Sequence, residues 1–483
     1  MAEQSKYELV VGLEVHAQLL TNSKLFAGDA NNFGSAPNTH VSPITLGHPG
    51  TLPKMNGLAV EQAAKLGIVC QSQIACTNYF ARKNYFYPDL PKGYQISQHT
   101  TPICNGGFLP IRIGGRELKI ELTRIHLEED AGKSIHDVDP ELTCVDYNRA
   151  GVPLVEIVTE PCMRSSEEAF IFLTELRKIV RWIGICDGNM EEGSMRCDAN
   201  VSVRKRGDQQ LGTKVEVKNL NSIRNVRKAI EVEYDRIVGQ LEKGEDILQE
   251  TRGFNADHDS TYSIRVKEDA DDYRYFPDPD LTPFIVTREH LETYKALLPT
   301  LPEEWVQKLI HQYQLPEYDA RILCEDQELV SYFEKLLPEC HNTKALANWL
   351  IGPVKSYCNE NNLGWSSVKI EPAVWATLIG MIDDGKLNFS TAAQKILPLL
   401  MQNGSADPVE IANRLNIIQV SNASDIHAWV DEVLSKMQDK VQEYRKGKKG
   451  LIGLFVGEVK KVSKGKADPK LTNEILIEKL NQS

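Results

Sequence analysis

Acidic, imidazole and ammonium side chains recur in this 483-residue chain at spacings of two, in stretches that otherwise alternate with apolar residues. In GNMEEGSMRCDANVSVR, Asp198, Asn200, Ser202 and Arg204 fall on one face of a strand and Ala199, Val201 and Val203 on the other. KVEVK repeats the pattern, setting Lys214, Glu216 and Lys218 against Val215 and Val217. Near the start, LVVGLEVHAQL does so a third time, with Glu14, His16 and Gln18 opposite Leu13, Val15 and Ala17. Glu and His two apart on a strand point the same way, so both can reach one divalent cation. Further on, Glu128, Glu129 and Asp130 run into Ala131-Gly132-Lys133-Ser134. Carboxylates beside a Gly-Lys-Ser turn would hold a metal and a phosphate together, although the GxxxxGK[ST] spacing of a P-loop is absent.

If these stretches converge, the site is oxygen-rich with at most one imidazole, which suits Mg²⁺ or Mn²⁺ better than zinc. Hard-cation sites of this kind serve phosphoryl transfer, where lysines balance charge. Lys133, Lys214, Lys218 and Lys267 are the candidates for that balance. RKNYFYPDLPKGYQISQ (82–98) interleaves cations with tyrosines, a mix that suits stacking on a base or equally a rigid surface loop. Close to the end, Arg445, Lys446, Lys448, Lys449, Lys460, Lys461, Lys464 and Lys466 surround an apolar GLIGLFVGEV, a credible contact for a phosphate backbone. Together these features describe an ATP-using enzyme with an RNA-binding tail. A non-catalytic RNA-holding scaffold and an ordinary small-molecule kinase stand as alternatives.

The elements that must position these residues follow from the rest of the chain. Strands dominate the first three-fifths, with a helix across 57–69 and a second opened by a Ser165/Glu168 capping box and running through Trp182. A third helix spans about 222–242, after the hairpin that turns near Gly207-Asp208. The passage FAGDANNFGSAPNTHVSPITLGHPGTLPKMN is too rich in breakers for helix or sheet and is expected as a long ordered loop. DYNRAGVPLVEIVTEP reads as a turn, an apolar strand and a proline stop. After about Pro299 charged amphipathic helices take over.

Composition narrows the function classes. A net charge of −12 argues against coating nucleic acid by bulk charge. The ten cysteines sit singly with no C-x-x-C pair, which excludes a cysteine zinc site of the usual spacing and fits buried thiols. No apolar run reaches the roughly 20 residues of a membrane span, and no secretory h-region is visible. The expected location is cytoplasmic.

A resemblance rests on long motifs in series: VVGLEVHAQL, HPGTLPKMN, RKNYFYPDLPKGYQISQ, RIHLEEDAGKS, DYNRAGVPLVEIVTEP, MEEGSMRCDANVSVR, KVEVKNLNSIRNV, QETRGFN, ADDYRYFPDPDL and GLFVGEVKKVSKGKADPKLTNEIL. In this order they closely resemble the GatB family, the B subunits of the glutamyl/aspartyl-tRNA amidotransferases. The resemblance implies an α/β (α+β) cradle domain with a mixed or antiparallel sheet at 1–298, carrying a kinase-like ATP and Mg²⁺ site. It implies all-α domains after it, a helical domain at 299–389 and a tail at 390–483 that contacts tRNA. It also implies a heterotrimer, completed by an amidase (the A subunit) and by a small C subunit. Within it this chain phosphorylates the side-chain carboxylate of Glu-tRNA(Gln) or Asp-tRNA(Asn), which ammonia then amidates. By motif, Glu14 and His16 match metal ligands, and Glu129 or its neighbour Glu128, Asp198 and Glu216 match the other acidic positions. The amidase's Ser-Ser-Lys machinery is not recognisable here, as expected if glutamine is hydrolysed on another chain.

Overall fold

The computed structural model describes residues 6–136, 138–266, 273–418, 423–463 and 466–481. Lys267 and Lys464 lie outside them, as does the acidic run at 268–272. The chain forms two compact units, Met1–Thr300 and Leu301–Ser483.

The first unit is built on a mixed ten-stranded sheet among the described residues. Seven of its strands carry the argument: β1 (Tyr7–Gln18), β2 (Arg116–Glu129), β3 (Pro153–Thr159), β4 (Met195–Lys205), β5 (Val215–Lys218), β6 (Glu250–Asn255) and β7 (Ser260–Val266). Their spatial order is β7-β6-β5-β4-β1-β3-β2, all antiparallel neighbours except the parallel pair β5–β6. Beyond β2 come the short strands Cys104–Asn105 and Gln73–Ile74, and Phe108–Ile113 also pairs with β2.

The alternation read from sequence is realised. Leu13, Val15 and Ala17 of β1, and Cys197, Ala199, Val201 and Val203 of β4, are buried. Glu14, His16 and Gln18, with Arg196, Asp198 and Asn200, occupy the other face. Three helices flank the sheet: α1 (Gly57–Val69), α2 (Ser166–Trp182) and α3 (Ile223–Lys243). The last two pack on each other, and α3 lies against β4. Helix α2 buries Ala169, Phe172, Leu173, Leu176 and Val180, the three-and-four spacing of one helical face. Its start differs from the expected capping box. Ser165 accepts from Glu168 N at 3.1 Å, but the Glu168 carboxylate receives the Arg164 N–H, at 2.6 Å, in place of that of Ser165. Helix α3 begins at the Ser222 cap and ends on Gly244, whose φ of 74° terminates the helix in the left-handed region.

The long loop is ordered. Lys24 Nζ donates to His40 O at 2.7 Å, and Asn38 N to Asp146 Oδ1 at 3.0 Å. In the second unit every named element is a helix, with Trp349 and Trp375 in its core. Toward its end, the described part of 423–481 has its own apolar cluster of Ile426, Val430, Tyr444, Phe455, Val459 and Leu476. No described helix is long and apolar enough to cross a membrane.

Phe172 is fully buried where α2 meets its neighbours. Phe172→Ala is expected to destabilise the first unit by about 3–5 kcal/mol, seen as a lower urea midpoint by tryptophan fluorescence; an unmoved midpoint would contradict this packing.

Candidate active site on the polar face of the sheet

The polar face is assembled by register. His16 stands opposite Glu156 on β3 and opposite Arg196 on β4, and Glu14 stands opposite Asp198. On the far side of β3, Glu156 faces His126 and Leu154 faces Glu128. Directly paired residues have Cβ atoms about 5 Å apart, so four strands deliver their polar side chains to one place. His16 Nε2 lies 3.3 Å from Glu156 Oε2 and 3.5 Å from Glu128 Oε1. Ligand atoms of His16, Glu128 and Glu156 all lie within 4.8 Å of one another, close enough to hold one cation. One imidazole and two carboxylates are the hard, oxygen-rich donor set that suits Mg²⁺ or Mn²⁺. His126 stands behind them, with Nε2 3.5 Å from Glu128 and 3.6 Å from Glu156.

These charges hold one another. Burial alone would lower the His16 pKa, but the hydrogen bond and charge of Glu156, with the charge of Glu128, raise it to about 9. Burial would raise Glu156, and the two imidazoles, with Lys83, hold it far below the carboxylate range instead.

A second row on the same face continues away from His16. Glu14 Oε1 accepts from Asn200 Nδ2 at 2.9 Å. Lys218 Nζ donates to Asp198 Oδ2 at 2.5 Å and lies 3.4 Å from Glu216 Oε1. Glu216 also accepts from the Thr251 hydroxyl at 2.8 Å. The cleft over this face holds about 400 Å³ and is lined by His16, Glu128, Glu156, Asp198 and Lys218, with Lys83, Tyr85, Asp130 and Arg196 added.

Not every expected residue arrives there. Glu128 and Glu129 are consecutive on a strand and therefore point to opposite faces. Glu129 pairs with Lys92, accepts from Ile96 N at 2.9 Å and lines a separate small cavity with Lys24, Thr45 and Thr51. The Gly132-Lys133 turn is not a phosphate cradle, because Gly132 N donates to Asp89 O at 2.7 Å. Lys133 is exposed and lines another pocket, with Gln18, Arg149 and Glu191. Lys214 is exposed just ahead of β5. In the tail Lys448, Lys449, Lys460 and Lys461 are exposed and Lys466 half-buried. Lys448 and Lys461 pair with Glu443 and Glu458.

Sequence reasoning missed Glu156, His126, Lys83 and Arg196 as site residues, whereas Asp130, expected in the carboxylate cluster before the Gly-Lys-Ser turn, does line the cleft. Glu156 had a signal: a lone acid at an alternating position inside the apolar strand PLVEIVT. Lys83 lies in the tyrosine-rich segment, whose Tyr85 packs on Tyr87 and on the sequence-distant Tyr273 at 6.0 Å each, while nearby Tyr275 stacks on His99 at 4.0 Å. Lys83 sits 4.8 Å from the Tyr273 ring centre.

Two family models match, one described as the GatB/GatE catalytic domain over residues 9–292 and one as the GatB domain over residues 331–480. The chain belongs to the GatB family. Relatives named as the B subunit of aspartyl/glutamyl-tRNA(Asn/Gln) amidotransferase align along essentially their whole length. The protein of Chlorobium limicola is 48% identical over 476 residues, 99% of this chain and 100% of its own. That of Thermodesulfovibrio yellowstonii is 46% identical and that of Geotalea uraniireducens 47%, each across 99% of this chain and 100% of the relative. The GatB catalytic match therefore contains the whole polar face described above, and the α/β-then-helical architecture is that expected of the family.

The cavity behind Glu129 gives a pH signature. Burial pushes the Lys24 ammonium down from 10.5 to about 8, against the raising charges of Asp29 and Glu129. Between those values the unfolded chain holds a proton that the folded chain has lost, so Lys24 makes stability rise with pH across that window only. Carbon-13 NMR of labelled lysines is expected to show one ammonium, absent in Lys24→Met, titrating near 8; a Lys24 titration among the exposed lysines would contradict its burial.

Proposed function

We propose that this chain carries the carboxylate-activating step of a tRNA-dependent amidotransferase, a glutamine-hydrolysing ligase of translation. The observation that carries the proposal is the convergence of His16, Glu128 and Glu156 on one sheet face beside Lys83 and Lys218. A free carboxylate does not yield an amide with ammonia because its oxygen is a poor leaving group; as an acyl phosphate it leaves readily. One oxygen of the side-chain carboxylate of Glu-tRNA(Gln) or Asp-tRNA(Asn) attacks the γ-phosphorus of ATP. The bond to the bridging oxygen breaks and ADP leaves with its electron pair. Ammonia then attacks the acyl carbon, phosphate departs with the C–O bonding pair, and the nitrogen gives up a proton, leaving Gln-tRNA(Gln) or Asn-tRNA(Asn).

His16, Glu128 and Glu156 would hold Mg²⁺, which supplies charge neutralisation at phosphate oxygens when bound. Lys83 and Lys218 keep their charge in the cleft: burial would lower both, and the carboxylates around them raise them above the ordinary lysine value. Asp198 and Glu216 orient Lys218, and Asn200 fixes Glu14 at the edge of the cluster. Glu129 and Lys133 face other cavities and have no part in this assignment.

The remaining roles rest on the family. A separate amidase chain supplies ammonia from glutamine, a small third chain completes the heterotrimer, and the complex works in the cytoplasm on misacylated tRNA. The exposed lysines of the tail, Lys448, Lys449, Lys460 and Lys461, suit contact with a tRNA backbone.

The test is phosphate release from ATP by the complex with glutamine withheld. Release is expected to require misacylated tRNA. Glu156→Gln is expected to weaken Mn²⁺ binding by at least about 10-fold and to suppress release in parallel. Release indifferent to tRNA, or unchanged in this variant, would place the step elsewhere.

A further inference from the structure

Arg196 has no role in the scheme above, yet its placement is unusually determined. It stands directly across from His16 in the β1–β4 register and lines the same cleft. Its Nη2 donates to Asp130 Oδ2 at 2.8 Å. Asp130 is only 4% exposed, and it is gripped in turn by Gln18 Nε2 at 3.0 Å and by the Arg149 guanidinium at 3.7 Å. A carboxylate held from three sides is a rigid anchor for the guanidinium it binds. Meanwhile Arg196 Nε, buried, has no hydrogen-bond partner among the described residues. A buried N–H without a partner is costly and rare. Nε itself is shut off from the cleft, but the Arg196 side chain as a whole is 36% exposed and lines it, so donors of the fork not spent on Asp130 are open to a ligand there.

The other cations of the cleft differ. Lys218 is engaged by Asp198 and Glu216, and Lys83 lies against the Tyr273 ring. The face also carries Glu14, Glu128, Glu156 and Asp198, so an anionic phosphoryl group entering it meets strong repulsion. A planar guanidinium with unused donors meets that need better than an ammonium already paired.

We propose that Arg196 is a catalytic residue that donates to the oxygens of the phosphoryl group during its transfer, and that Asp130 is the positioning residue that aims it. This rests on the carboxylate-activating role given above. As the carboxylate oxygen bonds to phosphorus and the bond to ADP breaks, negative charge spreads over the three non-bridging oxygens. Arg196 neutralises that charge without gaining or losing a proton.

The test uses the complete complex with saturating ATP, Mg²⁺ and misacylated tRNA. Arg196→Ala is expected to lower kcat for phosphate release by about 100-fold or more, with KM for the tRNA and Mn²⁺ binding nearly unchanged. Millimolar guanidinium is expected to restore part of the rate. Asp130→Asn alone is expected to cost about 10-fold. The double variant Asp130→Asn/Arg196→Ala separates direct action from an exposed anchor. It stays as slow as Arg196→Ala if Arg196 touches the phosphoryl group, and recovers if the loss came only from leaving Asp130 unpaired. Recovery, a change confined to KM, or parental turnover in Arg196→Ala would overturn the proposal. Arg196→Lys, which keeps the charge without the fork, serves if the alanine variant does not fold; parental kcat in it would overturn the proposal equally. A parental complex that releases no tRNA-dependent phosphate, by contrast, would overturn the carboxylate-activating role itself and this proposal with it.

Discussion

The antiparallel register that sets His16 against Glu156 on one side and Arg196 on the other is the constraint on which the site depends. Side chains on a strand alternate with period two, so a slip of one residue between β1 and β3 would send Glu156 to the apolar face. The register is fixed by burial. Leu13, Val15 and Ala17 on β1 and Val155 and Ile157 on β3 are 0–1% exposed, and none can trade places with its polar neighbour without placing a charge in the core. The hydrophobic pattern of these strands therefore positions the chemistry on their other side.

Electrostatics on that face is a balance of close, opposed charges. Two imidazoles share two carboxylates, Lys218 joins Asp198 to Glu216, and Arg196 closes on Asp130. Of these groups His16, Glu156, Asp130, Arg196 and Lys218 are shifted toward their charged forms although partly shielded from water, and a charge so shielded acts more strongly on its surroundings. Lys24 shows the alternative outcome. Its amine donates to two backbone carbonyls, with no carboxylate in direct contact among its described hydrogen bonds and ion pairs, and burial wins.

Much of this was legible in the sequence. The alternation in GLEVHAQ and CDANVSVR gave both strands and the facing of Glu14, His16 and Asp198, because half-buried antiparallel strands write their geometry in their residue order. The Gly57–Val69 helix and the helix expected at about 222–242 were equally plain. The choice between Glu128 and Glu129 was not, since a consecutive pair at the end of a long strand can face either way until the neighbour's register is known. Glu156 was hidden by its apolar surroundings, which mark a buried strand more loudly than a single acid marks a ligand. Asp130 and Arg196 are 66 residues apart and meet only through the sheet. The Gly-Lys-Ser turn misled because its backbone N–H is spent on Asp89, which nothing local reveals.

The central claim is that the polar face of this sheet makes an acyl phosphate from the substrate's own carboxylate. It is tested most directly by following oxygen. Misacylated tRNA whose side-chain carboxylate carries oxygen-18 is given to the complex with ATP and ammonia, and the inorganic phosphate is collected. Activation through an acyl phosphate transfers one labelled oxygen to each phosphate released with product. Phosphate free of label, released in step with amide formation, would contradict the account.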